Sequence, residues 1–95
     1  MNKTEHLLTC LMEECAEVQQ AASKALRFGL NDKYTGCDTP ADAIARECTD
    51  LIAVIEMLES EGVIKTFRLF QPIQEKKAKV EKYMKYAEER GTLTK

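Results

Sequence analysis

Residues 39–62 read TPADAIARECTDLIAVIEMLESEG, and this stretch predicts one complete helix. Thr39, Pro40 and Asp42 stand in the order of an N-cap, a first-turn proline and an acidic third helical residue. Gly62 follows the last apolar residues, where glycine commonly ends a helix. The apolar residues between these signals recur every three or four positions: Ile44, Cys48, Leu51, Ile55 and Leu58. This spacing predicts a helix that ends just before Gly62 and turns one face toward a core.

Two further helices are predicted, one on either side of this stretch. The first is expected from Thr4, as its N-cap, to about Phe28, because no Gly or Pro interrupts an apolar spacing of the helical kind. Pro72 suits the first turn of a third helix that runs to about Arg90. Four residues of that helix are expected to face inward: Ile73, Val80, Met84 and Ala87. Residues 63–71 are apolar but too few to assign to one kind of structure.

The sequence contains no strand pattern, so the predicted fold class is all-α. With short connections between three helices, we expect an antiparallel helical bundle and a single domain over residues 1–95. A chain of 95 residues buries a comparatively small fraction of its surface. A three-helix chain can complete a four-helix-type core by pairing with a second copy. We therefore expect a homodimer or a homotetramer.

Composition and charge exclude several classes of protein. The chain has neither a secretory signal nor about 18 consecutive apolar residues, so we expect a cytoplasmic protein (host cytoplasm if a phage encodes it) without a membrane partner. Residues 1–63 hold five Lys/Arg against twelve Asp/Glu, whereas residues 64–95 hold nine against four. The excess of acids in residues 1–63 argues against binding to a nucleic acid duplex. Small phosphorylated ligands are more compatible with this charge distribution than a duplex is.

The cysteines do not form a recognisable metal or redox motif. None of the four stands in a CxxC pair: they are Cys10, Cys15, Cys37 and Cys48. In a reducing compartment this pattern predicts buried free thiols, and neither a disulfide framework nor a zinc site.

Four acids lie where the helical spacing expects apolar residues. Glu14 falls inside the apolar stripe of the first helix, and Glu17 lies one turn further on the same side. Glu47 and Asp50 repeat this spacing on the second helix, so antiparallel packing would bring the two pairs face to face. Their repulsion must be offset by protonation, by Lys or Arg, or by a metal ion. Because the ligands are hard oxygens without His or Cys, we favour Mg²⁺, with Mn²⁺ as a substitute.

The runs Glu13-Glu14-Cys15-Ala16-Glu17 and Glu47-Cys48-Thr49-Asp50 resemble the EExxE…ExxD signature of the MazG-like, all-α nucleoside triphosphate pyrophosphohydrolases. The similarity to small phage and bacterial members covers most of the chain. It implies a Mg²⁺-dependent enzyme in which water attacks a ribo- or deoxyribonucleoside triphosphate, releasing the monophosphate and pyrophosphate. The residues that it assigns to the metal are Glu14, Glu17, Glu47 and Asp50. The stretch between the two runs is long for the signature, which leaves the metal count open.

The same resemblance suggests further site residues. Glu13 is assigned to orienting or deprotonating the attacking water, with an ordinary exposed acid as the alternative. A triphosphate site also needs basic groups, and Lys24 and Arg27 lie two to three turns beyond the acids on the first helix. Similar proteins carry lysines at the positions of Lys76 and Lys79 on the third helix. We expect these four residues to contact the phosphates, with a solvated basic face as the alternative. Phosphoribosyl-ATP pyrophosphohydrolases, dUTPases and dCTPases would share this metal chemistry, so the preferred base and sugar stay open.

Two other interpretations use the same acids. A carboxylate di-iron bundle needs an ExxH motif on two helices, and neither Glu14 nor Glu47 has a histidine three residues later. A non-enzymatic helical dimer that acts as an interaction or regulatory protein remains the alternative. In that case the acids would form salt bridges with Arg46 and with lysines near the C-terminus.

Overall fold

The computed structural model describes residues 1–33, 38–66 and 68–94. It contains three helices, α1 (Lys3–Phe28), α2 (Pro40–Ser60) and α3 (Phe70–Glu89). The residues in these ranges form no strand, which confirms the all-α class. No helix among them is long and apolar enough to cross a membrane.

The chain divides into two compact units, Met1–Lys65 and Thr66–Lys95. The first unit contains α1 and α2, and the second contains α3. The single domain expected over residues 1–95 stays a prediction.

Helix α1 begins two residues earlier than its predicted N-cap implies. Asn2, not Thr4, is the N-cap, because its side-chain oxygen accepts a hydrogen bond from the backbone N–H of Glu5 at 2.8 Å. The Glu5 carboxylate accepts in turn from the N–H of Asn2 at 3.0 Å. This reciprocal capping box satisfies two backbone donors that a helix start leaves open. The expected end at Phe28 is confirmed, and Gly29 follows with a φ of 92°.

Helix α2 has the start that the sequence predicts. The Thr39 hydroxyl accepts from the N–H of Asp42 at 3.1 Å, and the Asp42 carboxylate accepts from the N–H of Thr39 at 3.2 Å. The helix ends at Ser60, and Gly62 adopts a φ of 71° that suits glycine. The predicted bounds are therefore confirmed to within a residue.

Helices α1 and α2 pack against each other as an antiparallel pair. At one end, the N–H of Ala41 in α2 donates to the carbonyl of Leu30 just after α1, at 3.1 Å. At the other end, Lys3 in the first turn of α1 forms an ion pair with Glu61 after α2, at 2.6 Å. The start of each helix thus lies beside the end of the other.

The core of this pair is small. Only three apolar residues of the described chain are buried, namely Leu7, Ala21 and Leu58. Leu58 has no exposed surface, and burying one leucine side chain stabilises a fold by about 1.5–3 kcal/mol. Most other residues along the apolar spacing of α1 and α2 are half-buried, but Phe28 at the end of α1 is exposed. The apolar spacing predicts the helices correctly, whereas the apolar residues are less buried than predicted.

Helix α3 begins at Phe70, so Pro72 lies in its first turn as predicted. Beyond its end, the N–H groups of Thr92 and Leu93 both donate to the carbonyl of Ala87, at 2.9 and 3.3 Å. These bonds fold the following residues back over the last turns of the helix.

None of the four apolar residues of α3 that are predicted to face inward is buried. Ile73, Val80 and Met84 are exposed, and Ala87 is half-buried. The apolar spacing is helical, but burial also needs a second surface, which the unit Thr66–Lys95 does not contain. In residues 63–71, which the sequence left unassigned, helix begins only at Phe70, and Phe67 lies outside the described residues.

Candidate metal centre

Four carboxylates from α1 and α2 converge on one point of the antiparallel pair. Each offers one oxygen, and the four oxygens all lie within 4.8 Å of one another. The residues are Glu14, Glu17, Glu47 and Asp50. The structure therefore brings together all four acids that the sequence predicts as metal ligands.

The helical geometry explains why the acids meet. On each helix the two acids are three residues apart, which places them on one side about one turn from each other. Because α1 and α2 run in opposite directions, the pair on one helix faces the pair on the other. The site thus depends on the register between the helices, which the contacts at both ends of the pair fix.

The four acids are not equivalent. Glu14 and Glu47 are half-buried, whereas Glu17 and Asp50 are exposed. Glu17 and Asp50 are therefore less buried than residues of an apolar stripe that faces the core, although their oxygens reach the cluster. A step of three residues turns the side chain 60° around the helix axis, so the second acid of each pair lies at the edge of the interface. The cluster is open to solvent on that side, and a ligand can reach it there.

Two oxygens of the cluster have no partner within the described residues. Oε2 of Glu14 and Oε2 of Glu47 are buried and accept no hydrogen bond. Buried polar atoms normally have a partner, so each such exception needs an explanation. A cation between the helices would satisfy both oxygens at once.

The distances fit a small divalent cation. Mg²⁺ binds oxygen at 2.0–2.1 Å, so oxygens on opposite sides of the ion lie about 4.2 Å apart. The cluster, with a span of 4.8 Å, needs to close by only about 0.6 Å for Mg²⁺ to fit. Small side-chain rotations supply such a movement. An all-oxygen set without His or Cys also suits Mg²⁺ better than Zn²⁺.

The charges of the cluster change the chemistry of Glu47. Hydrogen bonding to the Glu17 carboxyl group raises the pKa of Glu47, and loss of water and the negative charge of Asp50 raise it further. Two carboxyl groups can share a hydrogen bond only if one of them holds a proton. Without a cation, the cluster therefore favours a proton on Glu47. A bound cation would take the place of that proton.

Arg46 lies next to the cluster but pairs elsewhere. Its guanidinium group donates a hydrogen bond to Asp38, in the segment before α2, and this bond raises the pKa of Arg46. The positive charge still lowers the pKa of Glu47, although less strongly than the other groups raise it. Sequence reasoning missed the pair between Asp38 and Arg46. Asp38 lies before α2 and Arg46 lies within it, eight residues later, so no helical spacing rule predicts that the two side chains meet.

The other predicted site residues of α1 lie along the helix from the cluster. Glu13, predicted as the catalytic residue, is exposed and immediately precedes Glu14. Lys24 is seven residues beyond Glu17, which corresponds to about 10 Å along the helix axis. The guanidinium carbon of Arg27 stacks on the ring of Phe28, 4.7 Å from its centroid. These basic residues lie further along α1 and do not form part of the cluster.

Lys76 and Lys79, the remaining predicted phosphate contacts, belong to the unit Thr66–Lys95. They line a groove of about 350 Å³ together with five other residues. These five are Val80, Tyr83, Met84, Ala87 and Leu93. The groove is mainly apolar, with both lysines on one helix three residues apart.

The cysteines are more exposed than the sequence predicts. Cys15 is exposed, and Cys10 and Cys48 are half-buried, so burial of the thiols is less than predicted. Cys37 lies outside the described residues. None of these three belongs to the acidic cluster, so the candidate ligands are all oxygens.

Comparison of the chain with protein-family models, with curated proteins and with solved structures found no match.

Proposed function

We propose that this protein hydrolyses ribo- or deoxyribonucleoside triphosphates to the monophosphate and pyrophosphate, using Mg²⁺ held by the acidic cluster. One observation carries the proposal: four carboxylates of two helices converge within 4.8 Å, and two of their buried oxygens have no partner. Mn²⁺ would substitute for Mg²⁺, since both prefer oxygen ligands. The resemblance of the two acidic runs to MazG-like enzymes supplies the reaction class.

In the proposed site, the half-buried Glu14 and Glu47 and the exposed Glu17 and Asp50 would hold the ion. When bound, Mg²⁺ screens the negative charge of the triphosphate and acidifies water. Without the ion, the four carboxylates would repel a triphosphate, because the carboxylates and the phosphate groups both carry negative charge. The ion and the anionic substrate therefore depend on each other for binding.

The remaining residues act on the substrate and on water. An oxygen of water forms a bond to the α-phosphorus, while the bond from that phosphorus to the leaving pyrophosphate breaks. Glu13, exposed beside the cluster, is assigned to accept the proton that this water loses. Lys24 and Arg27 are assigned to the phosphates, because their charges lie on α1 beyond the acids. The phosphate contacts expected of Lys76 and Lys79, in the unit Thr66–Lys95, stay a prediction.

The test is pyrophosphate release from a panel of ribo- and deoxyribonucleoside triphosphates, with Mg²⁺ or with EDTA. We expect release that requires Mg²⁺ and is lost in Glu47→Gln. Glu56→Gln is the matched control, because it removes one carboxylate from the same helix outside the cluster. Release that persists in EDTA, or that survives in Glu47→Gln, would contradict the proposal. The panel also identifies the preferred base and sugar.

A non-enzymatic helical dimer is the second candidate. It requires the acids to form salt bridges with basic residues, but Arg46 pairs with Asp38 instead. Exposed apolar side chains on α1 and α3 favour an interaction between chains. This holds for an enzyme as well as for a non-enzymatic dimer, because both would expose the same apolar surface as a monomer. We therefore propose a homodimer or homotetramer with a four-helix-type core, whichever of the two functions it has.

A further inference from the structure

Arg46 is a cation beside the acidic cluster that has no role in the reaction described above. It immediately precedes Glu47 in α2, and Asp50 follows it by four residues. A step of four residues turns the side chain by about 40° around the helix axis, so Arg46 and Asp50 share a side of α2. Asp50 is exposed, and the side chain of Arg46 is 52% exposed. Arg46 therefore lies at the edge of the cluster that is open to solvent.

Asp38 holds this cation and leaves it able to bind a second anion. The Asp38 carboxylate accepts a hydrogen bond from Nη1 of the guanidinium group. A guanidinium group has five N–H donors in a planar fork, so other donors remain. After the charge of Asp38, the charges of Glu47 and Asp50 also act on the guanidinium group. Arg46 thus stays within electrostatic reach of the cluster while its ion pair is with Asp38.

Glu13 and Arg46 mark opposite ends of the cluster. Glu13 immediately precedes the two acids of α1, and Arg46 immediately precedes those of α2. The two helices are antiparallel, and Glu17 shares a hydrogen bond with Glu47, so the starts of the helices point in opposite directions from the cluster. Lys24 lies toward the same end as Arg46, and its seven-residue step from Glu17 turns the side chain by only about 20°. One end therefore has a carboxylate, and the other has two cations.

Hydrolysis at the α-phosphorus gives these two ends different roles. The attacking oxygen and the leaving oxygen lie on opposite sides of the phosphorus. Water forms a bond to the phosphorus at the end where Glu13 accepts its proton. The bond from the phosphorus to the bridging oxygen breaks at the other end, and its electron pair stays on the pyrophosphate. The negative charge of the leaving group therefore rises beside Arg46 and Lys24, where a fixed positive charge stabilises it.

We propose that Arg46 binds the leaving pyrophosphate group of the substrate, and that Asp38 positions the guanidinium group for this contact. The inference rests on the proposed hydrolysis and assigns a direction to the triphosphate across the cluster. The β- and γ-phosphates lie toward Arg46 and Lys24, at the end opposite Glu13. Arginine suits this role because its planar fork can bind two phosphate oxygens at once.

The test measures binding of the two products by calorimetry with Mg²⁺ present, so the readout does not depend on turnover. The probes are inorganic pyrophosphate and the nucleoside monophosphate that the best substrate of the panel yields. Arg46→Gln should weaken binding of pyrophosphate by about tenfold or more, since hydrogen bonds between charged groups are strong. It should change binding of the monophosphate by less than about twofold, because that product lacks the β- and γ-phosphates.

Lys3→Gln is the matched control. Lys3 is also a cation of the helix pair in an ion pair, with Glu61, but at the end of α2 away from Arg46. It should leave both dissociation constants within about twofold of wild type. Arg46→Lys retains the charge without the planar fork, so it should bind pyrophosphate more tightly than Arg46→Gln. It also replaces Arg46→Gln if circular dichroism shows that the latter loses helix.

Asp38→Asn distinguishes binding by Arg46 from a structural role of the ion pair. This variant breaks the same pair but keeps the cation, so it should weaken pyrophosphate binding less than Arg46→Gln does. An equal loss in the two variants would overturn the inference. Equal weakening of pyrophosphate and monophosphate by Arg46→Gln would overturn the assigned direction. If wild type hydrolyses triphosphates and Arg46→Gln binds pyrophosphate normally, the inference fails and the proposed hydrolysis stands. A wild-type chain without hydrolysis would overturn both.

Discussion

Binding of Mg²⁺ should stabilise the folded protein, and the effect should depend on Glu47. The unfolded chain does not hold the four carboxylates together, so the ion binds the folded state preferentially. The perturbation is the addition of MgCl₂ to protein prepared in EDTA. The Glu47→Gln variant removes one of the two ligands that hold an unpartnered buried oxygen.

The magnitude follows from mass action. At a Mg²⁺ concentration 100 times its dissociation constant, binding raises the free energy of unfolding by about 2.7 kcal/mol. Each 1 kcal/mol shifts the Tm of a 60–100-residue domain by roughly 4–8 °C. We therefore expect the Tm of the wild-type protein to rise by roughly 10–20 °C at saturating Mg²⁺.

The assay is thermal unfolding followed by circular dichroism, with and without Mg²⁺, for each variant. Glu47→Gln should lose most of the Mg²⁺-dependent shift, while Glu56→Gln should retain it, because Glu56 lies outside the cluster. The Tm of each variant with Mg²⁺ is compared with its own Tm in EDTA, so an effect of the substitution on stability does not enter the shift. A wild-type Tm that Mg²⁺ leaves unchanged, or an equal shift in Glu47→Gln, would refute the assignment of the cluster as a metal site.

Two further predictions concern stability without metal. In EDTA, the contribution of Glu47 should be most favourable below pH 4.5 and should be lost as pH rises through its raised pKa, because the folded state binds the proton more tightly. Urea unfolding across this window should show a steeper decline for wild type than for Glu47→Gln, and parallel curves would contradict the raised pKa. Thr39→Ala should lower the free energy of unfolding by about 1 kcal/mol, because it removes the side-chain cap of α2. Thr4→Ala, which replaces no capping residue, is its control, and equal losses in the two variants would count against the observed caps.

The helices were largely predictable because their signals are local. The capping box of Thr39 and Asp42 involves neighbours in sequence, and so does the spacing of apolar residues on α2. The N-cap of α1 is the exception, because both Asn2 and Thr4 are suitable N-caps by residue type. Only the hydrogen bonds of Asn2 with Glu5 decide between them.

The sequence by itself determined which acids form the candidate site, since their spacing on each helix fixes that they share a side. Tertiary structure decided what the spacing could not: the register that brings the two pairs within 4.8 Å, and the difference between half-buried Glu14 and exposed Glu17. It also decided that Arg46 pairs with Asp38 and that Ile73 and Val80 of α3 remain exposed. Helical period is a property of neighbouring residues, whereas burial and pairing depend on which surfaces meet in space.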